Sequence, residues 1–126
     1  MKAAIFPNFQ KKNALECARN LCDILNDCDI EVYVDNTFIN EFEDKAFVKY
    51  GLFDEFVREA DFAMAIGGDG TILKCAKHIV ETNTKLLGIN TGRLGFMSAL
   101  ESGQLDQIAN IKSGKYNAVS YTHLTL

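Results

Sequence analysis

The chain has 126 residues, enough for one domain with a real core, and 48% apolar with 24% charged residues excludes a disordered polymer. Its net charge of −4 argues against a broad nucleic-acid footprint but leaves room for phosphate at one small site. No apolar run approaches the roughly 18 residues of a membrane span, and the amino end, "MKAAIFPNFQKK", is too weakly apolar for a signal peptide, so the expectation is a cytoplasmic protein with neither nucleic-acid nor membrane partners.

In chain order, "KAAIF" at 2–6 ends at a proline and predicts a first buried strand. Residues 12–26 place Ala14, Leu15, Ala18, Leu21, Cys22 and Leu25 at helical spacing, and Asn26 and Asp27 break that helix. "IEVYV" at 30–34 is a second strand. Residues 36–60, less regular, read as loop and short helix, with the acids at 41, 43, 44, 54, 55 and 59 expected on a solvated face rather than around a metal. "DFAMAI" at 61–66 is a third strand, running straight into glycines. A helix follows over "TILKCAKHIVETN", with Ile72, Leu73, Ala76, Ile79 and Val80 on one face. "KLLGIN" at 85–90 is a fourth strand, and a last helix spans about 103–112.

The order β-α-β-(α)-β-α-β-α points to an α/β fold, an open parallel sheet with helices on both faces. Cys17, Cys22, Cys28 and Cys75 do not have the paired spacing of a zinc site, and no histidine lies near the first three. They are expected to be reduced thiols, and no residue is assigned to a metal.

In open parallel sheets, ligands bind beyond the carboxyl ends of the strands. Two glycine-bearing turns fall on that edge. In "GGDGT", Gly67, Gly68 and Gly70 permit unusual backbone and close ligand approach, and the turn feeds a helix at Thr71 whose free amides favour phosphate. The Lys-Ser/Thr pair of a Walker A loop is missing, and the pattern is not G-x-G-x-x-G. Asp69 is the unusual member: it suits magnesium positioning or a base that takes a proton from an attacking alcohol, or it caps the helix. Lys74, one turn on, either reaches phosphate or is an ordinary surface lysine. The second turn, "GINTGRLGFM", has Gly88, Gly92 and Gly95 for close approach, Asn90 and Thr91 as short polar groups, and Arg93 as a forked cation for phosphate. Phe96 walls a base pocket or belongs to the core.

These two motifs, "GGDGTIL" at 67–73 and "INTGRLGFMS" at 89–98, resemble in order and spacing the signature pair of the NAD kinase family. The first is shared with phosphofructokinase-like, diacylglycerol and sphingosine kinases; the second is far more selective. "KAAIFPN" and "SGKYNA" at 113–118 add to the likeness, which covers roughly residues 1–119. The resemblance implies a phosphofructokinase-like, Rossmann-like three-layer domain and ATP-dependent phosphorylation of the adenosine ribose 2′-hydroxyl of NAD, giving NADP, with Mg2+ or another divalent cation. It implies that Asp69 is the base and that Gly67, Gly68 and Gly70 approach phosphate, with Asp69 and Gly70 touching the dinucleotide. Thr71, Lys74, Asn90, Gly92, Arg93 and Phe96 would line the same site. Family members carry a second, largely β domain with an Asn-Glu or Asn-Asp motif. The expectation is therefore an amino-terminal domain over 1–119, an atypical tail over 120–126, His123 incidental in it, and the β domain absent, with a homo-oligomer for the full-length enzyme. The alternatives are a non-enzymatic nucleotide-binding module and a lipid kinase of the GGDG type.

Overall fold

The computed structural model describes residues 1–11 and 13–91, with the backbone of 100–101. The described elements are strands β1 (Lys2–Pro7), β2 (Glu31–Asp35), β3 (Lys49–Gly51), β4 (Phe62–Gly67), β5 (Lys85–Asn90) and β6 (Leu100–Glu101), helices α1 (Ala14–Asp27), α2 (Phe53–Phe56) and α3 (Asp69–Ile79), and short 3-10 helices at Asn36–Phe42, capped by Asp35, and Val57–Glu59. All strand pairs are parallel, in the spatial order β3-β2-β1-β4-β5-β6. The chain works outward from β1 through β2 to β3, then returns to β4 on the other side of β1. The space beyond the carboxyl ends of β1 and β4 is thus the point where strand order reverses, the place at which open α/β sheets bind ligands.

Crossover chirality explains the layers. A right-handed β-α-β unit puts its helix on one face when the chain moves one way along the sheet, and on the opposite face when it moves the other way. Accordingly α1 buries Cys17, Ala18, Leu21 and Leu25 with Ile5, Met64, Ile66, Leu87 and Ile89 on one face. On the other, α3 packs Ile72, Cys75 and Ile79 with Ala4, Ala63, Ala65 and Leu86. Strand β4 is buried along its whole length, so its side chains alternate between two cores, large ones (Phe62, Met64, Ile66) towards α1 and small ones (Ala63, Ala65) towards α3. The small side lets α3 come close to the sheet. Each fully buried leucine or isoleucine in these faces contributes about 1.5–3 kcal/mol.

Strand β3 is absent from the sequence reading. It has three residues, exposed or half-buried, on the sheet edge beside β2, and a period of two leaves no signature in so short a run. Helix α3 begins at Asp69, two residues before the expected start, and ends at Ile79 instead of running to 83: Val80 leaves helical geometry at φ −58°, ψ 136° and Glu81 turns to φ 72°. This carboxyl end carries neither the glycine nor the proline that marks a helix stop in sequence. Among the acids of residues 36–60, Glu43, Asp44, Asp54, Glu55 and Glu59 are exposed, as a solvated face requires; Glu41 departs from it, partly buried with its Oε2 unpartnered among the described residues. The helix expected over 103–112 and the tail over 120–126 lie outside the described residues.

Candidate active site

The site begins with the end of β4. Its last residue, Gly67, pairs with Asn90, the last of β5, and the Thr91 amide donates to the Gly67 carbonyl at 3.2 Å. The two glycine-bearing turns predicted on the carboxyl edge therefore leave the sheet side by side. Among the three loop glycines, only Gly67 takes a positive φ, 157°. A Cβ there would lie 2.5 Å from Thr71 Oγ1 and 2.9 Å from Thr71 Cβ, so close packing of the first helical turn on the strand end also demands glycine. Gly68 has an extended conformation, φ −108° and ψ −170°, and its carbonyl accepts the amides of Thr71 and Ile72, each at 3.1 Å. Gly70 sits inside the first turn of α3, where a Cβ would meet nothing within 4 Å. Conformational freedom is thus the reason for glycine at one position only. At Gly70 the missing side chain leaves open space over the helix amino end.

Asp69 is the first residue of α3, while Gly68 holds the capping position and makes no side-chain bond. The capping reading of Asp69 is therefore not realised in its geometry. Its Oδ1 is buried and has no hydrogen-bond partner among the described residues. Buried polar atoms are nearly always paired, so an unpaired one on a ligand-binding edge calls for a functional explanation. A carboxylate at a helix amino end is favoured by the helix dipole, and the same field attracts phosphate.

Thr71 is buried (5% exposed), and its Oγ1 accepts from Asn8 Nδ2 at 3.3 Å. Lys74 is exposed one turn later, on the rim of a cavity of about 520 Å³ that Thr71 and the Asn8 turn also line. Asn90 is buried (3% exposed) at the end of β5. The structure thus brings Gly67, Gly68, Asp69, Gly70, Thr71, Lys74 and Asn90 to one edge; Gly92, Arg93 and Phe96 lie outside the described residues.

Two neighbours of the loop escaped sequence reasoning. Asn8 follows β1, accepts the Gln10 amide on its own Oδ1 at 3.1 Å, and donates its amide to the Ile66 carbonyl at 2.9 Å. The turn it makes carries Lys11, whose Cε would lie 3.9 Å from a Cβ on Gly68. An Asn after a strand reads as an ordinary turn former, so nothing local signals that it holds the glycine loop from below.

The ATP-NAD kinase N-terminal domain family matches residues 3–114. The NAD kinase of Christiangramia forsetii is 33% identical over 111 residues, covering 84% of this chain and 38% of that protein. The NAD kinase of Bacteroides fragilis is 36% identical over 110 residues, covering 85% and 38%. The crystal structure of yeast NADH kinase complexed with NADH has the same fold, with a TM-score of 0.79 at 19% identity over 91% of this chain and 38% of that one. The chain spans less than two fifths of the length of these relatives. With its family match running from β1 past both glycine turns, this chain belongs to the NAD kinase family.

Proposed function

We infer that this chain is the amino-terminal domain of an NAD kinase, a cytoplasmic phosphotransferase that uses ATP to phosphorylate the adenosine ribose 2′-hydroxyl of NAD and release NADP. The observation that carries the reading is the buried Oδ1 of Asp69, unpartnered among the described residues and set between glycines at the amino end of α3. In this mechanism Asp69 takes the proton of the 2′-hydroxyl as that oxygen attacks the γ-phosphorus of ATP and ADP leaves. The amides of Asp69 and Gly70 at the amino end of α3, with Lys74 and Arg93, hold phosphate oxygens, and the open space at Gly70 admits them to the backbone. Gly67, Gly68 and Asn90 set the platform, Thr71 locks it to the strand end, and Gly92 and Phe96 complete the dinucleotide side. Phosphoryl transfer depends chiefly on positioning and charge stabilisation, which a rigid strand-end platform supplies.

Among the described residues, no group of three or more His, Cys, Asp or Glu is arranged to hold a metal. Mg2+ fits such a site when nucleotide phosphates and water provide most of its ligands, with one or two carboxylates at most, Asp69 being the one in the glycine loop. When bound, the cation would neutralise charge on the transferring phosphoryl group.

The test is NADP formation from ATP and NAD by the complete enzyme, a homo-oligomer in this reading, and by its Asp69→Asn variant. Loss of the base lowers kcat by about 10²–10⁴-fold, with a melting temperature close to wild type because Oδ1 makes no hydrogen bond to the described residues. Retention of most activity removes Asp69 from the base role. Phosphorylation of diacylglycerol but not NAD overturns the acceptor, and nucleotide binding without turnover in the wild type replaces the kinase with a binding module.

A further inference from the structure

We propose that a second cavity on this edge, between β1, β2 and α2, receives the adenine ring of a nucleotide whose phosphates lie on the glycine loop; the proposal rests on the kinase reading above. The cavity holds about 530 Å³. Phe6, near the end of β1, Phe53, at the start of α2, and His78, in the last turn of α3, pack their rings together in its lining, with centroids 4.9 Å (Phe6–Phe53), 5.3 Å (Phe6–His78) and 5.4 Å (Phe53–His78) apart. A flat heteroaromatic ring finds stacking and edge contacts on such a surface.

Apart from His78, the charged groups around it are acids. Asp35 is already engaged, accepting the Phe53 amide at 2.9 Å and the Thr37 amide and hydroxyl at 3.0 and 2.8 Å. It builds the wall. Asp54 pairs with His78 Nδ1 at 2.5 Å, and Glu55 lies exposed beside it. The charge of these carboxylates repels a phosphate, while the exposed Glu55 is placed to accept from an exocyclic amine, which an adenine carries. Phe6, Pro7 and Phe38 line this cavity and also the neighbouring one, where Thr71 and Lys74 of α3 are found. One nucleotide can therefore place its base among the rings and its phosphates toward the lysine and the glycine loop. The reverse orientation would drive phosphate against the acids.

ATP and NAD both contain adenine, and the experiment separates them. Leu52 lines the cavity and is 55% exposed, so Leu52→Glu puts a charge at the mouth without opening the core. In the complete enzyme this variant is expected to raise the KM of one substrate at least tenfold, with kcat within about twofold and an unchanged melting temperature, while Leu52→Met stays near wild type. A rise for ATP alone assigns the cavity to the donor, and a rise for NAD alone to the acceptor. Unchanged KM for both, in a folded variant, overturns the proposal. If the wild type makes no NADP, calorimetric titration with ADP and with NAD decides the cavity separately. A tenfold weaker Kd for either in Leu52→Glu keeps the adenine site although the kinase reading has failed, and equal Kd values remove both.

Discussion

Asn8 Nδ2 donates to Thr71 Oγ1 across 3.3 Å, joining the turn after β1 to the first turn of α3. These residues are 63 positions apart, and the bond spans the point where strand order reverses. Asn8 also ties its amide to Ile66, so one side chain and its backbone hold the glycine loop against both adjacent strands.

Asn8→Ala removes that bond and the Asn8–Gln10 turn. Each net hydrogen bond is worth about 0.5–1.5 kcal/mol, so unfolding experiments in urea should find a loss of about 1–3 kcal/mol for the two. Because the platform under Asp69 loosens, kcat of the complete enzyme should fall by more than this stability loss alone would cause at a temperature where both proteins are folded. Wild-type kcat in a folded variant would confine Asn8 to a structural part.

Gly67→Ala and Gly70→Ala should behave oppositely in stability. At Gly67 the new Cβ would press on Thr71 at 2.5–2.9 Å, and overpacking of this kind costs about 1–3 kcal/mol. At Gly70 it has open space, and alanine in a helical turn gains about 0.5–1 kcal/mol over glycine. The Gly70 variant should nonetheless lose activity at least tenfold, because its methyl occupies the approach to the helix amino end. Thermal melts paired with NADP assays separate the two effects, and a fully active Gly70→Ala would mean that nothing binds over that turn.

Asp35 links stability to pH. Desolvation alone would raise its pKa, but hydrogen bonds from the Thr37 amide and hydroxyl and the Phe53 amide outweigh it and hold the carboxyl below its ordinary value. A carboxyl depressed in the folded state stabilises above its unfolded pKa, near 4, and that contribution disappears as pH falls through the folded value. Asp35→Ala should cost about 0.5–2 kcal/mol at pH 7, the range for a lost cap, and the gap to wild type should close on acidification. A pH-independent gap in denaturant midpoints would show that the ionised form is not what matters.

Burial pushes the thiols of Cys22 and Cys75 up to about 12 and, with Glu16 adding to it, that of Cys17 up to about 11. Thiolate is the reactive form. At pH 8 an alkylating reagent followed by mass spectrometry should label half-buried Cys28 first, and the other three only after denaturant is added. Equally fast labelling of Cys75 would mean that α3 opens from the sheet.

What the sequence determined by itself is whatever depends on neighbours along the chain. Apolar runs of five or six residues announced β1, β2, β4 and β5, helical spacing announced α1, and three glycines around Asp69 announced a phosphate-binding turn. Those signals are local because strand and helix periods repeat within a few residues. Strand β3 and the true ends of α3 escaped, since a three-residue edge strand has no period and Glu81 terminates a helix without a glycine. Tertiary structure alone decided that β4 inserts beside β1, and with it everything that crosses the strand-order reversal: Asn8 under Thr71, Lys11 near Gly68, and the rings of Phe6, Phe53 and His78 in one cavity. The same packing left Asp69 Oδ1 without a partner among the described residues. Whether a carboxylate caps a helix or waits for a ligand depends on which donors the rest of the fold brings within hydrogen-bond reach, and no spacing along the chain records that.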